Sequence, residues 1–158
     1  MLPMNQEEEI KPDPALLFRS FLLVAGAYVA NLVLLFLVIF VVSPETIEIL
    51  GMEPAEYQKI LDNEPEKIFS QELFWILLIA SGITCSALGY LVARLAPLGK
   101  FSHAIFFAAI LFAQYLQLAI GAADHLRTKV MLLMVVSSVA ALVGANMFLK
   151  SENADQLK

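Results

Sequence analysis

The sequence predicts an all-α protein, a transmembrane four-helix bundle with short surface helices in its first extracytoplasmic loop. Two observations carry this prediction. Of 158 residues, 59% are hydrophobic and only 16% charged, an excess over water-soluble domains, in which apolar residues make up roughly half. The apolar residues are also gathered into four runs free of Asp, Glu, Lys and Arg, at residues 20–42, 73–93, 102–121 and 130–149. Each is long enough to cross a hydrocarbon core of about 30 Å as a helix rising about 1.5 Å per residue. Helix is required there, because lipid offers no hydrogen-bond partner to an exposed backbone amide.

Residues 1–14 hold Glu7, Glu8, Glu9, Lys11 and the Pro12-Asp13-Pro14 breaker, a composition that cannot bury a core and reads as a mobile acidic tail. The acidity of this leader and the length of the apolar run behind it argue against a cleaved signal peptide, so the first helix is expected to stay attached. The four-span membrane domain occupies residues 15–150, followed by a C-terminal tail at 151–158. The connections after the second and third runs are short, the first with Pro97 and Gly99, which makes the last three spans antiparallel neighbours in a meander. The external loop, residues 43–70, is the one connection long enough for structure of its own. Ser43-Pro44-Glu45 offers an N-cap, a proline for the first helical position and an acid for the first turn, and Gly51 stands where a C-terminal cap belongs. A second short helix is predicted over Pro54 to Leu61. Ile47, Leu50, Met52, Tyr57, Ile60 and Leu61 are expected to rest on the membrane surface or the bundle end, with the glutamates turned to water.

Lysine and arginine near the span ends set orientation. With both termini cytoplasmic, Lys11, Arg19, Arg94, Lys100, Lys150 and Lys158 lie inside, against Lys59, Lys67, Arg127 and Lys129 outside. Phe69, Phe74 and Trp75 on one side, and Tyr90 and Phe101 on the other, are candidate interfacial anchors.

The formal charge of −5 is concentrated in the N-terminal tail and the external loop, and no basic stretch suggests nucleic acid. Cys85, the single cysteine, sits inside an apolar run and reads as a buried, inert thiol. A phosphate loop, a dinucleotide fingerprint, a nucleophile elbow and a two-histidine zinc helix are all missing from the sequence. His103 and His125 lie at opposite ends of the third span, too far apart to share a haem or to build a hydrolytic triad. Asp124 and His125 with Glu72 match no ligand signature, and a polar interfacial cluster is the plainer reading. No cofactor, no metal site and no autonomous catalysis are therefore expected. No acidic or basic group lies deep in any span, which counts against ion-coupled transport but not against passive movement of a neutral solute.

What the spans do contain is uncharged polar groups at similar depth. Asn31, Thr84, Ser86, Gln114, Ser137 and Ser138 line up as one mid-membrane layer, with Gln117 a turn beyond Gln114. Amides in hydrocarbon need partners, as do the hydroxyls of Tyr28 and Tyr115, so these side chains should face other helices. Interhelical hydrogen bonding is the plainer role, and a site for a neutral solute the sharper one. Small residues recur every fourth position as Ser81, Cys85, Gly89 and Ala93, as Ala109, Ala113, Gln117 and Gly121, and as Ser137, Ala141 and Ala145, with a shorter row at Gly26 and Ala30. Such rows let helices approach closely, within one chain or between two copies.

The stretch Gly89 to Ala104, GYLVARLAPLGKFSHA, resembles the cytoplasmic hairpin of small uncharacterised bacterial four-helix integral membrane proteins. The resemblance implies a bacterial inner membrane and no catalytic residue. The function expected from the sequence is that of a non-catalytic accessory or scaffold subunit in the lipid bilayer. It would dock a larger membrane or extracytoplasmic protein, or a second copy of itself, through its helix faces and through Glu45, Glu48, Glu53, Glu56, Glu64 and Glu66. The alternative is a small permease or channel-like protein using the polar layer.

Overall fold

Caps and breakers at the edges of the apolar runs decide where the helices start and stop. The computed structural model describes residues 13–64, 70–97, 99–122 and 124–156; a few side chains within these, among them those of Ile47, Leu50, Tyr57, Leu61 and His125, lie outside the description. Among the described residues the secondary structure is helical: α1 (Pro14–Val42), α2 (Pro44–Leu50), α3 (Pro54–Asn63), α4 (Gln71–Leu95), α5 (Lys100–Gly121) and α6 (Asp124–Gln156). Four of these, α1, α4, α5 and α6, are long and apolar enough to cross a membrane.

Asp13 and Pro14 open α1 instead of closing a tail. The Asp13 carboxylate accepts from the Ala15 N–H at 2.9 Å and Pro14 fills the first helical position. Residues 1–12, the rest of the predicted tail, lie outside the described residues. Ser70 caps α4 by accepting from the Leu73 N–H at 3.1 Å. Between α4 and α5 the chain turns at Pro97, and Gly99 takes φ of +58° at the N-cap of α5, a left-handed conformation that glycine adopts without a Cβ clash. Gly51, in contrast, is not left-handed. The end of α2 is closed by short bonds from the Gly51 and Met52 N–H groups to the Glu48 and Ile49 carbonyls, both at 3.2 Å. On this loop Thr46 and Ile49 turn inward, Ile60 is half-buried and Met52 is exposed.

The C-terminal helix continues to Gln156, past the predicted end of the fourth span at 149, because nothing between Leu149 and Gln156 breaks it. It is held there by an ion pair of Lys100 with Glu152. The Lys100 ammonium also lies 5.2 Å above the Phe148 ring, whose edge meets Tyr90 at 5.4 Å. These contacts tie the start of α5 to the end of α6 at what is here termed the terminal face. The opposite end, carrying α2 and α3, is the loop face.

The most extensive helix–helix interface joins α4 to α6, which are separated in sequence by the whole of α5. The reason lies in two glycines. A methyl group on Gly89 would fall 2.7 Å from the Ala141 carbonyl carbon, and one on Gly144 would fall 2.7 Å from that of Ser86, closer in each case to the oxygen. Backbone therefore touches backbone. Ser81 with Ser137, Gly89 with Ala141 and Ala93 with Ala145 advance together along the two chains, so α4 and α6 run parallel. The predicted rows Ser81, Cys85, Gly89, Ala93 and Ser137, Ala141, Ala145 form this seam and are buried within the chain. The row on α5 behaves differently: Ala109, Ala113, Gln117 and Gly121 are all exposed. α5 instead turns inward Ala104, Phe107, Ala108, Leu111, Tyr115 and Ala119, small and large side chains together filling the groove beside α4 and α6.

α1 is peripheral. It rests on α4 and α5 through Val24, Ala27 and Asn31, and most of its remaining surface is bare, as with Phe21 at 63% exposure and Val41 at 76%. Large apolar side chains are exposed along all four long helices, an arrangement stable in lipid and not in water. Of the predicted aromatic anchors, Trp75 and Phe101 are exposed as expected, but Phe74 is buried in the core with Leu73, Leu77 and Met134. Position explains the correction, because Phe74 is one turn before Leu77 on the inward face. Phe69 lies outside the described residues.

Candidate functional site

Asn31 is the most completely buried amide, with no exposed surface. It is placed there by Val24 and Ala27, which lie on the same stripe of α1 at helical spacing. The Asn31 amide oxygen accepts from the Cys85 thiol at 3.3 Å and from the Thr84 hydroxyl at 3.4 Å. Thr84 also reaches the Ser81 carbonyl at 3.3 Å. One turn earlier on the same stripe of α4, Ser81 and Ser137 hydroxyl oxygens are 2.5 Å apart, and Ser137 donates to the Leu133 carbonyl at 2.7 Å. With the Ser137 hydrogen committed to that carbonyl, Ser81 is the donor to Ser137. Ser138 donates to the Ala108 carbonyl at 3.4 Å. Hydrogen bonds thus link α1 to α4, α4 to α6 and α6 to α5 at mid-depth, each bond of a type worth about 0.6 kcal/mol between membrane helices.

The layer read from the sequence is only partly this knot. Asn31, Thr84 and Ser137 are brought together, and Ser138 lies beside them. Ser86 faces a groove on the other side of the α4–α6 seam, next to Gly82, Tyr90 and Gly144. Gln117 is exposed, whereas Gln114 is half-buried. Ser81 and Cys85 are members that the sequence reading assigned only to a small-residue row. Their signal was present, because a hydroxyl and a thiol at four-residue spacing mark one polar stripe. Tyr115, buried on α5, turns its hydroxyl toward the Ser81–Ser137 pair.

Gln114 stands apart from the knot. Its amide oxygen is buried without a partner, as is the amide nitrogen of Asn31, and each such orphan costs about 1–3 kcal/mol. Gln114 borders a cavity of about 210 Å³ at the loop end of the bundle. All four long helices contribute walls: Leu35 from α1, Leu77 from α4, Gln114 and Tyr115 from α5, and Leu133 from α6. The cavity exists because α1 lies on α4 and α5, leaving a gap between itself and α6.

At the loop face Glu45, Glu48, Glu53, Glu56 and Glu64 are exposed, while Glu66 lies outside the described residues. Lys59 is exposed among them. Asp124 pairs with Arg127 at 2.9 Å, and Arg127 also donates to the Ala119 and Ala122 carbonyls at 3.3 and 3.4 Å, closing the turn between α5 and α6. Glu72 lies elsewhere on this face, beside Ser43, Glu45 and Ser70. Among the described residues no three or more His, Cys, Asp or Glu side chains come together as a metal-binding group. The side chain of His125 lies outside the description.

No protein-family model, no curated protein and no solved structure matches this chain.

Proposed function

We propose that this chain is a non-catalytic integral membrane protein, an accessory or scaffold subunit that docks a partner through its acidic loop. The observation that carries this reading is how the polar groups are divided. At mid-depth they are bonded from helix to helix and serve the bundle itself. Among the described residues of the loop, Glu45, Glu48, Glu53, Glu56 and Glu64 are exposed, with Lys59 exposed among them. Such a surface attracts a basic face, with steering that weakens as salt screens it. We place both termini in the cytoplasm, since Arg19, Arg94, Lys100 and Lys150 gather at the terminal face, and the membrane of origin is proposed to be a bacterial inner membrane.

Crosslinking from Lys59, followed by purification from native membranes in mild detergent, tests the proposal. A stoichiometric partner whose recovery falls with salt, and with Glu→Gln changes at 45, 48, 53 and 56, is the expected result. A chain that runs alone under every condition overturns it. A second reading, passage of a neutral solute through the polar layer, is favoured by the unpartnered amide atoms of Asn31 and Gln114. The short Ser81–Ser137 bond and the Asn31 contacts with α4 speak against a continuous path, and absence of solute uptake into liposomes would remove it.

A further inference from the structure

We propose that the groove on the outer side of the α4–α6 seam holds one anionic phospholipid, with an acyl chain in the groove and the phosphate between Arg94 and Lys150. The groove, about 460 Å³, is walled by Gly82, Ile83, Ser86, Ala87 and Tyr90 from α4 and by Gly144 and Met147 from α6. It exists because Gly82 and Gly144 carry no side chain and Ser86 a short one, while α4 and α6 meet backbone to backbone at Ser86 and Gly144. From Gly82 to Tyr90 it runs roughly 12 Å along the helix, from mid-depth toward the terminal face. Ile83 and Met147 on its rim are 66% and 59% exposed, so it opens sideways, where a membrane helix meets lipid.

Apolar walls alone would accept any chain, and the charge above them selects the headgroup. Gly82, Ser86, Tyr90 and Arg94 follow at four-residue steps, one stripe of α4 that passes from the groove to a guanidinium. On α6, Lys150 stands three residues beyond Met147, on the same side of the helix. The two helices run parallel, with Ser86 against Gly144 and Ala93 against Ala145, which brings Arg94 and Lys150 within about 6 Å of one level along the bundle. Both are exposed. Neither is paired with an acid among the described residues, and the neighbouring Glu152 is held by Lys100. Lys100 also lies over Phe148, whose ring edge meets Tyr90, so the ring that ends the groove is fixed in place. A phospholipid has the same layout, an apolar chain below and an anionic phosphate at the headgroup level. Basic residues at that level attract anionic lipid, whereas a zwitterionic headgroup would bring its ammonium against two like charges. A second copy of this chain is the poorer occupant, because a copy inserted in the same direction would set Arg94 and Lys150 against their own counterparts.

The test titrates the full chain in detergent micelles with dioleoyl phosphatidylglycerol or dioleoyl phosphatidylcholine, followed by native mass spectrometry. One phosphatidylglycerol per chain is expected to bind saturably, and more tightly than phosphatidylcholine. Arg94→Gln and Lys150→Gln should each weaken it about fivefold, the worth of one basic residue beside anionic lipid. Arg19→Gln, on the same face but on α1, should leave it unchanged. Ser86→Leu keeps every charge, fills the groove and should remove the adduct. Equal affinity for the two lipids, an equal loss in Arg19→Gln, or full binding in Ser86→Leu overturns the proposal, leaving only a general attraction of charge. Dimers that form through the groove in place of the lipid adduct overturn it as well. Should Ser86→Leu fail to fold, Gly82→Leu fills the groove from its other end, where an added Cβ meets only Val136 at 3.6 Å. Binding in micelles is independent of membrane orientation and of whether the acidic loop docks a partner.

Discussion

Replacing Gly89 by alanine inserts one methyl group into the tightest place in the molecule. That methyl would sit 2.7 Å from the carbonyl carbon and 2.9 Å from the Cα of Ala141, and both are backbone atoms that cannot rotate away. An ordinary carbon contact is about 3.5–4.0 Å, so α4 and α6 must separate locally by roughly an ångström. The Ser81–Ser137 bond at 2.5 Å lies on the same seam, two turns away, and stretches with it. Overpacking costs about 1–3 kcal/mol, and rigid backbone places this case at the upper end. Alanine also gains about 1 kcal/mol over glycine within a helix. The net expectation is a loss of about 2 kcal/mol. Two controls isolate the cause, since a methyl on Gly26 meets nothing within 4 Å and one on Gly82 meets only Val136 at 3.6 Å. The assay is reversible unfolding in detergent, followed by Trp75 fluorescence. Gly89→Ala and Gly144→Ala should both fall well below the two controls, and a Gly89→Ala protein as stable as Gly26→Ala would refute the close-seam argument.

Cys85 has no exposed surface and donates to Asn31, so it should resist maleimide in the folded state and react only as the protein unfolds; prompt labelling in mild detergent would contradict this packing. A double-mutant cycle with Ser81→Ala and Ser137→Ala should give a coupling of about 0.6 kcal/mol, and zero coupling would mean the bond is not made. Gly99→Ala forces a Cβ into a left-handed conformation and should cost about 1–2 kcal/mol, read as a lower unfolding midpoint with unchanged helix content. Glu152→Gln should speed amide exchange in the last turns of α6 and leave the midpoint within about 1 kcal/mol of wild type.

The long helices were legible because hydrophobic length is a strong signal and lipid permits few alternatives. Their ends were less so. Asp13 and Pro14 read equally as the last residues of a breaker or as a cap with its proline, and only the chain that follows decides between them. Level along the bundle axis follows from counting residues, which is why Asn31, Thr84 and Ser137 lie near one another. Rotation about each helix axis does not. Gln117, Ala109 and Ala113 were assigned inward by spacing alone, yet α5 turns a neighbouring stripe, from Ala104 to Ala119, to the other helices. The orphan amide of Gln114 and the gap beside it depend on how far α1 stands from α6, a quantity no single helix encodes.

The partnership of α4 with α6 also has a temporal side. A ribosome adds roughly 5–20 residues each second, so the small-residue stripe of α4 enters the bilayer several seconds before Ala141 and Gly144 have been made. During that interval it has no mate of its own chain. A nascent chain stalled after α5 would present this stripe to whatever other helix passes by, and the seam closes only once the last helix has been inserted.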